Sequence, residues 1–221
     1  METPRVAPPV HVRIVEGLER IATALKSDDW VRAQTVGVNP TQLAILRALE
    51  GRRSGLAVKE LSLQLGVSQP TATDSILALK RKALIEKRPD PGDGRAVRIV
   101  ITDTGRAAVQ AGSGTASAVG RATAALDDEG QEQLLVQLVS LIRQLQEQGA
   151  IPIQRMCVSC RHFRPYAHSD AARPHHCNFV DAAFGQQDLR IDCRDHETAD
   201  LSVRVATWVE FQKACRTQPH H

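Results

Sequence analysis

Apolar residues recur at helical spacing along most of this chain up to Gly149. From Val10 to about Ala33, the residues Val12, Val15, Leu18, Ile21, Ala22 and Leu25 form a stripe of three- and four-residue steps, which predicts a long helix. Asn39-Pro40-Thr41 opens a second helix, TQLAILRALEG, which Gly51 stops. VKELSLQLG predicts a third, short helix ending at Gly66. SQPTATDSILALKRKALI predicts a fourth, with Ser68 as N-cap and Pro70 in the first turn, where its missing N–H would have no partner anyway. The pattern then changes. LIEKRP and RAVRIVIT are short and rich in β-branched residues, and Asp90-Pro91-Gly92-Asp93-Gly94 between them reads as the tip of a hairpin. Helix is predicted again from Asp103 to about Leu126, weakened by Gly112, Gly114 and Gly120 and so in need of a partner surface. A strongly amphipathic helix follows, with Leu134, Leu138, Leu141 and Leu145 on one stripe, and Gly149-Ala150-Ile151-Pro152 closes it. These elements predict a mainly α fold with a small β wing. The division falls into residues 1–149 and a second domain, 150–221, where helical periodicity vanishes until a last helix between Thr198 and Cys215.

A short helix, a turn at Gly66 and a helix beginning at Ser68 make a helix-turn-helix, and a charged hairpin directly behind it is a DNA-binding arrangement. The residues proposed to read or contact DNA on the second helix are Ser68, Gln69, Pro70, Thr71 and Thr73. Ala72, Ile76 and Leu79 fall on its core-facing stripe. Net charge is only +3, but Lys80 to Arg98 holds seven basic residues against three acidic ones, an excess that attracts phosphate. Lys82, Arg88, Asp93 and Arg95 complete the proposed DNA-binding set.

The segment from VKELSLQLG through ITDTG resembles the MarR family of bacterial regulators. Asp93, Arg95, Thr102 and Gly105 match that family's wing pattern of Asp-x-Arg, β-branched residues and Thr-x-x-Gly, and the resemblance spans about residues 10 to 148. It implies a two-fold homodimer built from the first and last helices and a pseudo-palindromic double-stranded DNA site. It also implies a wing arginine, Arg95, in the minor groove, and repression relieved by a small-molecule effector. Two positions depart from the family: Asp74 lies in the recognition helix, and Ala83 replaces the glycine that usually ends it.

The remaining chemistry lies in the cysteines. The first ten residues lack an apolar signal core and no stretch approaches the length of a membrane span, so the chain is expected to work in the cytoplasm, without a membrane partner. In that reducing compartment cysteines serve metals or redox chemistry rather than disulfides. Cys157-x-x-Cys160 is followed by Cys177 after sixteen residues and Cys193 after a further fifteen. Two thiolates at that close spacing can clip one ion, and two distant ones close the site. His176 and His196 are the substitute ligands. Because residues 157–196 are poor in apolar side chains, they read as a small irregular domain stabilised by its metal. Four such ligands suit zinc, the first choice, and four cysteines also suit an iron–sulfur cluster. The run CVSCRHF, a cysteine preceded by basic and His residues, and a final Asp192-Cys193 are similar in outline to cluster-binding modules of the high-potential iron–sulfur type. Cys215 stands apart as a structural or free thiol. No phosphate-binding glycine loop, His–carboxylate pair or nucleophile motif supports an enzyme. A DNA-binding regulator responsive to a ligand, metal or redox signal is therefore expected. The alternative is a small redox or metal-binding protein, or an interaction module, acting through the cysteines.

Overall fold

The computed structural model describes residues 7–90, 92–93, 95–113 and 117–217, with side chains up to Lys213. Pro91, Gly94, Gly114 and the side chain of Cys215 lie outside the described residues. The chain divides into two compact units, one ending at Ala125 and one beginning at Leu126. This differs from the division at Gly149: the leucine-rich helix belongs with the cysteines.

In the first unit, α1 (Val10–Thr35) precedes α2 (Pro40–Leu49). Asn39 caps α2, its side-chain oxygen accepting from the Gln42 N–H at 2.8 Å while the Gln42 side chain accepts from Asn39 N–H. Helix α3 (Val58–Leu65) ends on Gly66 in the left-handed region, and α4 (Gln69–Arg81) begins after Ser68, whose hydroxyl accepts from the Thr71 N–H. Strands β1 (Ile85–Pro89) and β2 (Val97–Ile101) pair antiparallel, with Ile85 opposite Ile101 and Arg88 opposite Arg98. Leu56 adds a short bridge to Ile99 on the other edge. Leu43, Leu46, Leu61, Leu79 and Ile99 are wholly buried in the core beneath these elements. Each such side chain contributes about 1.5–3 kcal/mol relative to exposure.

The predicted Asp103–Leu126 helix is two helices, α5 (Asp103–Ser113) and α6 (Ala118–Ala124). Ser117 starts the second by accepting from the Gly120 N–H at 2.7 Å, so a cap in the small-residue run restarts the helix. The opening of α5 explains the Thr-x-x-Gly pattern. Thr102 accepts from the Gly105 N–H, and a Cβ on Gly105 would stand 2.1 Å from the Leu84 carbonyl oxygen. A backbone oxygen cannot swing aside. Gly105→Ala is therefore expected to destabilise the protein by about 1–3 kcal/mol. At Gly112 the nearest atom would lie 3.7 Å from the new Cβ, so Gly112→Ala is expected to be neutral or to stabilise by up to about 1 kcal/mol. Denaturant unfolding of both variants checks the contrast; equal effects would refute the steric account of Gly105.

Ala83, at a position where the resemblance leads to an expectation of glycine, sits at φ 55°, so the turn keeps its left-handed shape despite the Cβ. Its carbonyl accepts from the hydroxyls of Thr102 and Thr104. These bonds hold the turn in place.

The second unit begins with α7 (Asp128–Glu147), capped by Asp127, and ends with α8 (Leu201–Thr217). Between them lie a 3₁₀ turn (Cys157–Ser159) and an antiparallel sheet of β3 (Phe163–Arg164), β4 (His175–Cys177) and β5 (Ala182–Phe184). Residues 157–196, too poor in apolar side chains to make a core unaided, share one with their neighbours. Val139 of α7 and Trp208 and Phe211 of α8 are buried together with Met156, Val158, Phe163 and Leu189. The helices supply the apolar surface that the cysteine segment lacks.

Candidate nucleic-acid interface and thiol site

Helix α4 has two faces. Ala72, Ser75, Ile76 and Leu79 are buried, while Ser68, Gln69, Pro70, Thr71, Thr73 and Asp74 are exposed along its first turns. The Thr71 hydroxyl lies 2.8 Å from that of Ser68, and the Thr73 hydroxyl donates to the Gln69 carbonyl at 2.9 Å. Both retain acceptor capacity towards a ligand. The Lys82 ammonium donates to the Gly37 carbonyl, fastening the end of α4 to the turn before α2.

At the wing, Asp90 accepts from the Gly92 N–H at 2.8 Å and pairs with the Arg98 guanidinium, which also reaches Glu60 at 2.7 Å. Arg98 and the Gly92 N–H hold the Asp90 carboxyl below the usual carboxylate range. Asp93 accepts from the Arg95 N–H at 3.0 Å, an Asx turn that sets the backbone beneath Arg95, and the Arg95 residue is exposed. Arg88 pairs with Glu86 on its own strand. The basic segment thus divides by role. Arg98 braces the wing, whereas Lys80, Arg81, Lys87 and Arg95 are exposed.

This geometry has recognisable relatives. Residues 36–96 match the sequence pattern of the MarR family. A MarR family transcriptional regulator from Streptomyces coelicolor, Sco5413, is 23% identical with TM-score 0.51, the match covering 62% of this chain and 96% of that one. CouR from Rhodococcus jostii RHA1, solved bound to p-coumaroyl-CoA, is 16% identical with TM-score 0.51, over 66% of this chain and 98% of that one. At these identities the likeness is one of fold. The MarR pattern covers α2, the helix-turn-helix and the first strand of the wing, and stops before β2. A search of curated proteins finds no match to the chain.

The second unit gathers what the sequence spreads over thirty-six residues' distance from Cys157 to Cys193: the four thiols line one cavity of about 260 Å3. Two strands of backbone are laced to place them. The Cys157 N–H donates to the Arg190 carbonyl at 3.0 Å, and the Cys193 N–H donates to that of Arg155 at 2.9 Å. Cys160 follows the 3₁₀ turn, its N–H donating to the Cys157 carbonyl, and Cys177 lies on β4 opposite Phe163 and Ala182. None of the four is in a disulfide. Burial pushes the Cys157 thiol up to about 11; the Arg190 N–H opposes this, and the thiols of Cys193, Cys160 and Cys177 reinforce it.

Neither histidine expected as a substitute ligand lines this cavity. The ring nitrogens of His176 face His168 at 3.1 Å and Asp181 at 3.3 Å, and Nε2 of His196 lies 3.0 Å from the Ser159 hydroxyl. The histidine at the cavity wall is His162, 3.2 Å from Glu197. Beside His176, His175 is fully buried, accepts from the Tyr166 N–H at 3.2 Å, and packs against Phe163, Phe184 and Phe211. Burial pushes its pKa down to about 4, so the ring is neutral near pH 7 and belongs to the aromatic core. Arg190 carries the contact that sequence reading did not single out. Its backbone N–H donates to the Cys157 sulfur at 3.3 Å and its guanidinium to that of Cys193 at 3.8 Å. Its position three residues before Cys193 is the only sequence signal.

Proposed function

We propose that this chain is a sequence-specific DNA-binding transcriptional regulator, a repressor acting as a two-fold homodimer on a pseudo-palindromic site. The observation that carries the reading is the pairing of an exposed polar face at the start of α4 with an exposed arginine on the wing behind it. The face carrying Gln69, Thr71 and Thr73 presents an amide and two hydroxyls to base edges in a major groove, while Arg95 enters the neighbouring minor groove. Ser68 and Pro70 shape the helix entry, and Arg88, with the exposed lysines, lies against phosphate. Lys82 serves chiefly to fasten α4 through Gly37. The acid at Asp74 suits a cytosine amino group and opposes phosphate.

The dimer is supported by apolar surface that the folded chain leaves open. In α1, Ile14, Ile21 and Leu25 are 54, 47 and 42% exposed, and with Leu18 they recur at steps of four, three and four. In α7, Leu134 and Leu141 of the leucine stripe are about 40% exposed, while the opposite face, with Val139, is buried. A small-molecule effector is supported by the CoA thioester carried by CouR. The thiol cavity supplies a metal-based or redox input to the same regulator.

Selection of bound duplexes from a random-sequence pool is expected to yield a two-fold symmetric motif with half-sites one helical turn apart. Thr71→Ala is then expected to relax preference at one symmetric pair of positions, each lost contact costing about 1–3 kcal/mol. Recovery of no motif, or a uniform loss of affinity on scrambled duplexes, would refute the major-groove assignment.

A further inference from the structure

The four thiols do not converge on a point. Among the described residues no three His, Cys, Asp or Glu side chains are grouped so as to hold a metal ion. With nine other residues the four cysteines line a cavity of about 260 Å3. A zinc ion holds its sulfurs at about 2.3 Å, which draws four of them to within about 4 Å of one another and leaves no interior space. A cavity of that volume admits a guest larger than a single ion.

Its walls match a larger guest in three further ways. Phe163, Phe179, Val180 and Phe184 are among its lining residues, apolar side chains of the kind that limit water around metal–sulfur bonds. The four sulfurs are the soft donors that iron–sulfur chemistry needs, with no histidine or water-bearing carboxylate required to complete the set. Two hydrogen bonds already point at sulfur, from the Arg190 N–H to Cys157 and from its guanidinium to Cys193. Donors to ligand sulfur offset the negative charge of a thiolate-bound cluster and raise its potential.

We propose that Cys157, Cys160, Cys177 and Cys193 together ligate one four-iron, four-sulfide cluster seated in this cavity, with Arg190 as its charge-balancing neighbour. The cluster replaces zinc, the first choice from ligand type alone, because size rather than softness separates the two guests here. The inference rests on the thiols being a metal site at all, as in the proposed function, but not on DNA binding.

The test uses the full chain, purified without oxygen from iron-replete cells and, in parallel, after chelation and incubation with iron salts, sulfide and a thiol reductant. Four irons and four acid-labile sulfides per chain are expected, with brown sulfur-to-iron absorption. Cys177→Ser is expected to lower iron to three or fewer per chain, while Arg190→Gln keeps the full iron content and shifts the reduction potential downward. One zinc per chain with no iron or sulfide uptake would overturn the cluster and leave the metal site standing. Less than about a tenth of an equivalent of either metal would overturn both. A folded Cys177→Ser protein, judged by unchanged circular dichroism, that retains four irons would overturn the ligand assignment.

Discussion

Replacing Ile21 with glutamate is expected to convert the protein from dimer to monomer and to lower its operator affinity by on the order of a thousandfold or more. Ile21 is 47% exposed at the middle of the α1 stripe, so a glutamate there can reach solvent in the single folded chain. In a two-fold dimer its glutamate would face apolar surface of the second copy, and a charge buried there without a partner costs several kcal/mol. A specific dimer of this class binds at about 10⁻⁸ to 10⁻¹¹ M, and a lone half-site keeps roughly half of that free energy. Sedimentation at micromolar concentration and anisotropy on the selected duplex measure the two effects separately. A monomeric variant with full affinity would refute the two-fold site, and a dimeric variant would move the interface away from α1.

The helix-turn-helix was legible because its signals are local. Asn39 and Ser68 cap, Gly66 turns, and the apolar spacing of Ala72, Ile76 and Leu79 points one face of α4 inward; each acts within a turn or two of itself. Thr102 and Gly105 were legible only as a pattern. Their cause, the close approach of α5 to the Leu84 carbonyl, is a contact across twenty-one residues of chain that no periodicity records. The same limit explains the charge count. Seven basic residues between Lys80 and Arg98 read alike in sequence, yet Arg98 is engaged by Asp90 and Glu60, the latter thirty-eight residues earlier.

The cysteine segment shows the opposite failure. Its ligand spacing was clear, but strands of two or three residues are too short to carry an alternation, so β3, β4 and β5 left no trace. Their core was hidden because it comes from Val139, Trp208 and Phe211, on helices flanking the segment at both ends. Phe163, His175 and Phe211 pack beside the thiol cavity irrespective of what fills it, so losing the guest is expected to loosen the loops carrying Cys157 and Cys193 and not to melt the unit. The histidines divided in the same way: His176 beside Cys177 looked like a ligand, while the long-range contacts of His175 make that neighbour part of the core.

Arg95→Ala is expected to weaken specific binding by about 1–3 kcal/mol at each half-site, roughly 5- to 150-fold per wing, and to leave folding and dimerisation unchanged. Arg95 is exposed, and the Asx turn from Asp93 engages its backbone, not its guanidinium. Its substitution therefore removes charge and reach without removing a structural contact, whereas Arg98→Ala would strip the brace between Asp90 and Glu60 and disorder the wing as a whole. The comparison separates contact from scaffold. Because a minor-groove guanidinium responds to groove width, the Arg95→Ala loss is expected to be greatest on duplexes with A·T-rich flanks beside each half-site and smallest on G·C-rich ones. Anisotropy titrations of both variants on the two flank series, at one fixed salt concentration, measure this. Equal losses for Arg95→Ala on both series would leave Arg95 a phosphate contact, and no loss on either would remove it from the interface.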